Sequence, residues 1–208
     1  MNLAKKALLG YWTDQFNFSE DILAAFIKVR REDFILNEHM DSAYADGPLP
    51  IGEGQTISQP TTVMIMLDLL EIHKDDRILE IGCGSGYNAA LMAEIAKKGE
   101  IYTTDIVETL AEKAKSRLAK YKNIKVFAQD GFEVAQKHGP FDKIIITAAA
   151  RNIPKILIDN LKEGGIILAP VGDMFMQEMI KLRKHDGKIK KEKHGSFMFV
   201  PVRGEYGF

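Results

Sequence analysis

The stretch 77–91, RILEIGCGSGYNAAL, constrains the fold of this chain more than any other. Its first residues form a short apolar run, typical of a β-strand covered on both faces. Three glycines spaced GxGxG follow from Gly82, and residues 87–96 have helix-forming composition. A strand, a glycine turn and a helix form the opening unit of a nucleotide-binding α/β fold. Glycines permit positive φ angles and close approach of a ligand, so the turn is a predicted binding site.

An acid beside this turn indicates the kind of ligand. Glu80 lies two residues before the first glycine. A carboxylate there would repel a pyrophosphate but can hold an ammonium group, directly or through water. This spacing resembles the first motif of S-adenosylmethionine-dependent methyltransferases more than a dinucleotide fingerprint; the alternative is a tight turn in another α/β protein. The cofactor residues predicted in the motif are Glu80, Gly82, Gly84, Ser85 and Gly86.

Acids at the ends of the next two predicted strands support a nucleotide-like ligand. Asp105 follows the strand 100–104, about 20 residues after the glycines, where such sites place a carboxylate for the ribose hydroxyls. Alternatively, Asp105 caps the helix predicted over 107–121. Asp130 follows the strand 125–128, near the expected adenine position, although QDG is also an ordinary turn sequence. The cofactor residues predicted at these strand ends are Asp105, Ile106, Asp130 and Gly131.

Length and composition narrow the class of protein. A chain of 208 residues is long enough for one sizeable domain and short for two. Its hydrophobic fraction of 46% and charged fraction of 27% are typical of soluble globular proteins. The formal net charge is −1, which gives no general attraction for nucleic acid. No apolar run approaches the roughly 20 residues that span a bilayer. We expect a monomer without nucleic-acid or membrane partners.

Cysteine and histidine usage bear on compartment and metal binding. The single cysteine excludes an internal disulfide and suits a reducing compartment, so we expect a cytoplasmic protein. The five histidines are scattered without ligand-like spacing, and no metal site is predicted.

The segment 34–60 differs from the rest of the chain. It holds three prolines and three glycines and has neither a helical nor a strand period. A loop of this length in a compact domain is usually functional or disordered, and its apolar residues argue against disorder. A helix is predicted over 60–72, which would place Thr56, Ser58 and Gln59 at its N-terminus, a favourable position for a carboxylate. From the residues alone, Ser58 is either a helix cap or a substrate ligand.

The remaining elements complete an α/β architecture. Strands are predicted over 143–150 and 166–171, with a helix over 154–161 between them that Gly164-Gly165 ends. Asp186-Gly187 predicts a two-residue hairpin turn, and 196–202 is the expected last strand. Near the N-terminus, Ser19 is the predicted cap of a helix and Trp12, Phe16 and Phe18 are predicted packing anchors.

This order of elements defines the expected fold. We predict a doubly wound, mostly parallel Rossmann-like methyltransferase sheet with an antiparallel C-terminal strand and a small N-terminal helical region. One methyltransferase domain would cover residues 1–208, with a helical and substrate-loop region over 1–60 and the Rossmann-like core over 61–208.

Longer motifs resemble one methyltransferase family. DSAYADGPLPIGEGQTISQP is similar to the signature segment of protein-L-isoaspartate O-methyltransferases, in which LPIGxGQTISQP precedes the first core helix. The resemblance extends through LEIGCGSGYNAA, QDG, FDKIIITAAA, LKEGGIILAPVG and the terminal FVPV, over residues 30–202. The chain departs from the family pattern at Arg30, where proline is usual, at Arg151, where proline is common, and at Cys83, where Thr or Ser is common.

The resemblance implies a specific activity. The family uses S-adenosylmethionine, with S-adenosylhomocysteine as product, to methylate the free α-carboxylate of isoaspartyl residues in damaged proteins and peptides. The ester closes to a succinimide, whose hydrolysis returns some normal aspartate. By the resemblance, Ser58 is the active-site residue. The substrate-binding residues it implies are Thr56, Ile57, Gln59, Val200 and Pro201.

Other functions stay open at this point. A carboxylate is ionised at pH 7, so the implied reaction needs no general base, in agreement with the lack of a Ser-His-Asp pattern. The altered N-terminal region and the lysines of the C-terminal hairpin leave room for methylation of a small molecule or RNA. A non-catalytic S-adenosylmethionine-binding protein is a further alternative, and a nicotinamide dehydrogenase fits least.

Overall fold

The computed structural model describes residues 2–204. A seven-stranded sheet forms its centre, and a separate two-stranded sheet lies before it in the chain. The strands are β1 (Leu49–Gly52), β2 (Gln55–Ile57), β3 (Arg77–Ile81), β4 (Glu100–Thr104), β5 (Ile124–Phe127), β6 (Phe141–Ile146), β7 (Leu161–Gly172), β8 (Gln177–His185) and β9 (Lys188–Phe197).

Helices cover the sheet and build the N-terminal region. The α-helices are α1 (Leu3–Gln15), α2 (Glu20–Lys28), α3 (Pro60–Leu70), α4 (Tyr87–Ile95), α5 (Glu108–Leu118), α6 (Gly131–His138) and α7 (Lys155–Asp159). Two 3₁₀ helices, Arg31–Phe34 and Asn37–Ser42, follow α2. No helix within 2–204 is both apolar and long enough to cross a membrane.

The order of the large sheet is β5-β4-β3-β6-β7-β8-β9. Strands β3 to β7 run parallel to their neighbours, whereas β8 and β9 add antiparallel. The chain moves outward from β3 through β4 to β5 and returns to β3's other side with β6, so the order reverses at β3. Ligands of open α/β sheets bind beyond the carboxyl ends of the strands at such a reversal. The predicted mostly parallel sheet with an antiparallel C-terminal end is confirmed.

The sheet is buried between two hydrophobic clusters because alternate strand residues point to opposite faces. Ile78 of β3 packs in the cluster that includes α1 to α4, and Leu79 packs in the cluster that includes α6 and α7. Both side chains are fully buried. A core strand covered on both faces therefore holds the glycine turn at its carboxyl end.

The N-terminal helices are fastened to this core through Trp12. Its ring packs edge-on against Phe26 at 4.6 Å, and its Nε1 donates a 2.8 Å hydrogen bond to Thr61 Oγ1 on α3. The predicted packing role of Trp12 is confirmed, as is Ser19 as the N-cap of α2. Helix α1 was not delineated from the sequence, because its hydrophobic residues do not form one clear face.

Three predictions for individual segments are wrong, and the strand predicted over 143–150 ends earlier, at Ile146. Residues 49–57, expected to be irregular, form the antiparallel hairpin of β1 and β2. Gly164-Gly165 does not end a helix; it lies inside β7, where Gly164 has a φ of 76° and the pairing with β6 shifts register. The last strand is β9, which ends at Phe197, so 196–202 is not a strand of its own. The predicted turn is confirmed, with φ angles of 50° at Asp186 and 70° at Gly187.

Candidate active site

A crevice at the carboxyl ends of β3 and β4 is lined by all the predicted cofactor residues except Gly86. It has two lobes that share the residues Gln55, Gly82, Asp105 and Ala148. The Asp130 lobe lies on one side of Asp105, and its further lining includes Ile106, Val107, Gln129, Asp130, Gly131, Phe132 and Pro201. The Glu80 lobe lies on the other side, and its further lining includes Ile57, Glu80, Cys83, Gly84, Ser85, Tyr87 and Asn88.

The glycine turn uses its backbone N–H groups within the protein. Those of Gly82 and Cys83 both donate to Thr104 O, at 2.9 and 2.7 Å. Gly84 N donates to Asp105 Oδ2 at 2.9 Å, and Gly86 N donates to Cys83 O. These four donors are therefore occupied, and the turn is a poor cradle for a phosphate, which needs free N–H groups. The geometry favours a ligand without phosphates.

Glycine is required sterically at two cofactor positions. Gly82 has a φ of 97°, and a Cβ there would lie 2.8 Å from Thr147 Oγ1. At Gly131, a Cβ would lie 2.6 Å from Ile81 Cγ1. Gly82 thus allows the turn to pack against Thr147, and Gly131 allows the start of α6 to pack against Ile81 of β3. Gly86, with a φ of 87°, shapes the turn against Leu118 rather than lining either lobe.

Glu80 is a fully buried acid in the wall of its lobe. Its Oε1 accepts a 2.8 Å hydrogen bond from Asn88 Nδ2, and its Oε2 accepts a 2.5 Å bond from Thr103 Oγ1. Burial raises the pKa of Glu80 to about 7, and the charge of Asp105 adds to this, although both hydrogen bonds oppose it. A cationic ligand in the lobe would favour the charged carboxylate.

Asp105 stands between the lobes and holds the turn in place. Besides the bond from Gly84, its Oδ1 accepts a 3.0 Å bond from Val107 N. Helix α5 begins at Glu108 with Val107 as its N-cap, so Asp105 is not the cap residue. Each carboxylate oxygen has a second lone pair, which leaves room for two ligand hydroxyls. This arrangement fits the predicted ribose role.

Asp130 combines a structural and a lining role. Its side chain caps α6 by accepting a 2.8 Å bond from Phe132 N, an element that the sequence did not reveal. The other oxygen, Oδ2, lies close to the backbone at Gly204. Pro201, predicted to bind substrate, lines the Asp130 lobe.

A groove adjoins the Glu80 lobe, and Ser58 lies at the junction. We call it the Ser58 groove; it is lined by Pro48, Thr56, Ser58, Gln59, Thr61, Thr62, Ile65, Thr147, Ser196, Phe197, Met198, Phe199 and Val200. Its wall shares four residues with the Glu80 lobe, namely Thr56, Ser58, Thr147 and Val200. A group in the groove would therefore meet a ligand in the lobe at Ser58.

The helix-cap alternative for Ser58 is wrong. Helix α3 has Gln59 as its N-cap, with no hydrogen bond from a capping side chain. Within residues 2–204 the Ser58 hydroxyl has no hydrogen-bond partner. A half-buried hydroxyl without a partner, at the junction of two cavities, is available to a ligand.

Asp46 takes the place at the α3 N-terminus that we expected a substrate carboxylate to occupy. Its Oδ1 accepts a 2.9 Å bond from Thr61 N, and its Oδ2 accepts bonds from Thr61 Oγ1 at 2.7 Å and Gln59 Nε2 at 3.0 Å. The predicted substrate residue Gln59 also accepts a bond from Thr62 Oγ1. The side chain of Gln59 thus fixes the loop beside Ser58.

The tip of the β1–β2 hairpin closes over the crevice. The tip residue Glu53 has a φ of 55°, and its Oε1 accepts a 3.0 Å bond from Thr109 Oγ1 on α5. Its carbonyl accepts a 2.8 Å bond from Arg203 Nη2. The hairpin is therefore tied to both flanks of the Asp130 lobe.

Two further groups of potentially reactive side chains have no part in this chemistry, although Cys83 lines the Glu80 lobe. Cys83 is buried, which raises the pKa of its thiol well above the usual value and makes it a poor nucleophile. Glu163, His185 and Asp186 place potential metal ligands within 4.8 Å of one another, a group that the sequence analysis did not foresee. All three are exposed; Glu163 near the start of β7 lies beside the β8–β9 turn, on the opposite edge of the sheet from the crevice.

Several site residues were missed although they lie inside the quoted motifs, because their contacts form only in the folded chain. Thr147 follows β6 and donates a 2.5 Å bond to Gly82 O. A threonine at the end of a buried strand, next to a predicted crevice, was the signal for it. Asn88 lies in the first turn of α4, two residues after Gly86. Asp46 gave no such signal, because its partners become visible only when the loop is folded.

Comparisons with known proteins agree on one family. Residues 4–207 match the profile of protein-L-isoaspartate(D-aspartate) O-methyltransferases. A protein-L-isoaspartate O-methyltransferase of Methanosarcina mazei is 44% identical, covering 98% of this chain and 85% of that protein. A protein-L-isoaspartate O-methyltransferase 2 of Archaeoglobus fulgidus is 43% identical over 93% of this chain and 90% of its own. A Plasmodium falciparum beta-aspartate methyltransferase, solved with S-adenosyl-L-homocysteine, has a similar fold with a TM-score of 0.84, 24% identity and coverage of 98% and 99%.

Proposed function

This chain belongs to the protein-L-isoaspartate(D-aspartate) O-methyltransferase family, and we propose from its site that it methylates the free α-carboxylate of L-isoaspartyl residues in proteins and peptides. The observation that carries this proposal is the junction of the Glu80 lobe with the Ser58 groove. A methyl donor in the lobe and a carboxylate in the groove would meet beside the Ser58 hydroxyl, which has no hydrogen-bond partner within residues 2–204.

The crevice suits S-adenosylmethionine. Asp105 would bind the ribose, the Asp130 lobe the adenine, and Glu80 with Ser85 and Asn88 the amino-acid end. The ligand has no phosphate, in keeping with a glycine turn whose N–H groups are occupied. When bound, it supplies an electrophilic methyl group on a sulfonium, which leaves as the neutral thioether S-adenosylhomocysteine.

The protein's part in the reaction is positioning. The substrate carboxylate is already ionised at pH 7, so no residue needs to remove a proton. Ser58 Oγ would donate a hydrogen bond to one carboxylate oxygen and leave the other facing the lobe, with Thr56 and Val200 beside it. Asp46 and Gln59 hold the Ser58 loop, and the hairpin tip at Glu53 excludes water.

The product accounts for a repair function. An ester carbonyl is attacked far more readily than an ionised carboxylate. The neighbouring backbone nitrogen therefore bonds to the ester carbon and gives up its proton, the methoxy group leaves as methanol, and a succinimide closes. Hydrolysis of the succinimide returns some normal aspartyl residues. This last stage occurs on the polypeptide and needs no residue of the enzyme.

We also propose that the protein works as a cytoplasmic monomer, and that residues 1–60 form a helical and substrate-loop region while residues 61–208 form the Rossmann-like core. The buried free thiol of Cys83 supports a reducing compartment. The position of β1–β2 across the crevice supports this division of the chain. Light scattering on the purified protein measures the oligomeric state.

One assay tests the activity. The protein is incubated with S-adenosylmethionine and either an isoaspartyl peptide or its aspartyl twin. S-adenosylhomocysteine is expected with the isoaspartyl peptide alone. Equal turnover of both peptides, or turnover of RNA or a small metabolite without either peptide, would refute the proposal.

A further inference from the structure

An exposed apolar cluster lies beside the Ser58 groove. Met174, Phe175 and Met176 form the loop between β7 and β8 and are 60%, 82% and 61% exposed, and Met198 after β9 is 82% exposed. We call these four residues the apolar platform. Exposed large apolar side chains are ordinary when scattered, but a cluster of them indicates an interaction site.

The strand pairing brings the two parts of the platform together. Gln177 of β8 is paired with Phe197 of β9 in an antiparallel ladder. The residues just beyond that pair, Met176 and Met198, therefore face each other at the end of the ladder. The strand pairing thus brings the β7–β8 loop next to Met198 although 22 residues separate Met176 from Met198.

Hydrogen bonds fix the backbone of the β7–β8 loop, which carries three of the four platform residues. Asp173 Oδ1 accepts bonds from Phe175 N at 2.7 Å and Met176 N at 2.9 Å. The buried side chain of Gln177 donates to Asp173 O at 2.6 Å and accepts from Phe199 N at 2.8 Å. One buried amide thus connects the β7–β8 loop to the wall of the groove. Because the loop is already ordered, a partner would lose little entropy on binding to it.

The platform continues the Ser58 groove. Met198 lines the groove together with Ser58, and β7 ends on the same edge of the sheet as the crevice. A polypeptide whose isoaspartyl residue lies at Ser58 has chain on both sides of that residue. A position two to four residues away lies roughly 7–14 Å along an extended chain. Such a chain, on leaving the groove past Met198, would lie over the platform.

We propose that the apolar platform binds an apolar side chain flanking the isoaspartyl residue, so that the enzyme prefers isoaspartyl sites with an apolar neighbour two to four residues away. This inference rests on the proposed function, because it takes the isoaspartyl polypeptide as the occupant. Apolar neighbours are usually buried in folded proteins. The enzyme therefore favours damage in segments that have become unfolded.

The test compares peptides that differ at one position. Each contains one isoaspartyl residue in a Gly/Ser background of constant charge, with Phe or Ser placed two, three or four residues away on either side. For at least one position, the Phe peptide is expected to have a KM roughly tenfold lower, the gain from burying part of an apolar side chain. The double variant Phe175→Ser, Met198→Ser should reduce that ratio to about one.

Matched controls separate the possible failures. Leu3→Ser alters a residue that is 83% exposed outside the groove lining and should keep the wild-type ratio. Circular dichroism and the Tm check that the double variant is folded. Equal KM values for Phe and Ser peptides, or a ratio that survives in the double variant, overturn the inference while leaving methylation intact. Absence of methylation with every isoaspartyl peptide overturns the proposed function and the inference with it.

A second copy of the chain is the competing occupant. Light scattering of the wild type and of Phe175→Ser distinguishes it, since a monomer in both cases agrees with the proposal. A wild-type dimer that the substitution dissociates would assign the platform to self-association and overturn the inference.

Discussion

The crevice and the Ser58 groove differ in how their polar groups are used. In the crevice, the N–H groups of the glycine turn and the carboxylate of Asp105 are bonded to each other and to Thr104, so the shape is set before any ligand arrives. In the groove, the Ser58 hydroxyl has no partner within residues 2–204, and Met198 is exposed. The crevice is built for one invariant ligand, whereas the groove leaves its contacts to be completed by varied polypeptides.

Loss of the free hydroxyl gives the largest expected effect. Ser58→Ala should lower kcat roughly tenfold to a hundredfold, the range for a hydrogen bond to a charged group of about 1.5–3 kcal/mol. Steady-state kinetics with an isoaspartyl peptide measure it. Affinity for S-adenosylhomocysteine should stay unchanged. Ser116→Ala, at an exposed site on α5, is the control. Turnover by Ser58→Ala equal to that of the wild type would show that the Ser58 hydroxyl does not contribute to methyl transfer.

Loss of the central carboxylate should affect the crevice instead. Asp105→Ala should weaken S-adenosylhomocysteine binding by about 1–3 kcal/mol, because ligand contacts and the bond from Gly84 are lost together. Asp105→Asn keeps an oxygen acceptor and should lose less. Calorimetric titration measures both, with the exposed Asp159→Ala as control. An affinity equal to the wild type would contradict the ribose assignment.

The pH dependence of ligand binding should distinguish the crevice from the groove. Burial raises the pKa of Glu80 from 4.5 to about 7. Protonated Glu80 therefore stabilises the folded free protein fully below pH 4.5, and this contribution to the free energy of unfolding is lost as the pH rises through 7. A cationic ligand favours the charged form, so cofactor affinity should rise roughly tenfold from pH 6 to 8.

Titrations at both pH values test this expectation. Glu80→Gln should bind with an affinity that changes little over this range, while Glu163→Gln, on the opposite edge of the sheet, should follow the wild type. A wild-type affinity independent of pH would show that the Glu80 carboxylate does not respond to the ligand.

The smallest effect is expected from the hydrogen bond between Asp46 and Gln59, which holds the Ser58 loop. Asp46→Asn replaces an acceptor by a donor facing Gln59, and should lower kcat/KM roughly threefold to tenfold. Adding Gln59→Glu restores a donor–acceptor pair and should recover part of the loss. The double variant is measured by kinetics and by S-adenosylhomocysteine affinity, which should not move. A loss of stability without recovery of kcat/KM would make Asp46 a purely structural residue.

The same contrast explains what the sequence could predict. The crevice follows from local rules: a buried strand, glycines at fixed spacing, and an acid where the next strand ends. Glu80, Asp105 and Asp130 all line it as expected. Their individual roles remain predictions, and for Asp130 the capping of α6 could not be seen because that helix was not recognised.

The groove depends on contacts between distant segments. Residues of β2 and α3, Thr147 after β6, and the end of β9 with the stretch after it meet there, and no local pattern gives their proximity. The family resemblance supplied Ser58, Thr56 and Val200, but not Thr147 or Asp46. It also assigned Pro201 to the substrate, although Pro201 lies one residue past the groove wall and faces the Asp130 lobe.

The amide of Gln177 has a consequence for engineering. Its hydrogen bonds and those of Asp173 fix the backbone of the β7–β8 loop. The side chains at 174–176 take no part in these bonds. A library randomised at those three positions should keep its fold and its methyl transfer while its members diverge in the sequences they act on. Variation at these three positions is therefore a way to change which peptide sequences the enzyme methylates.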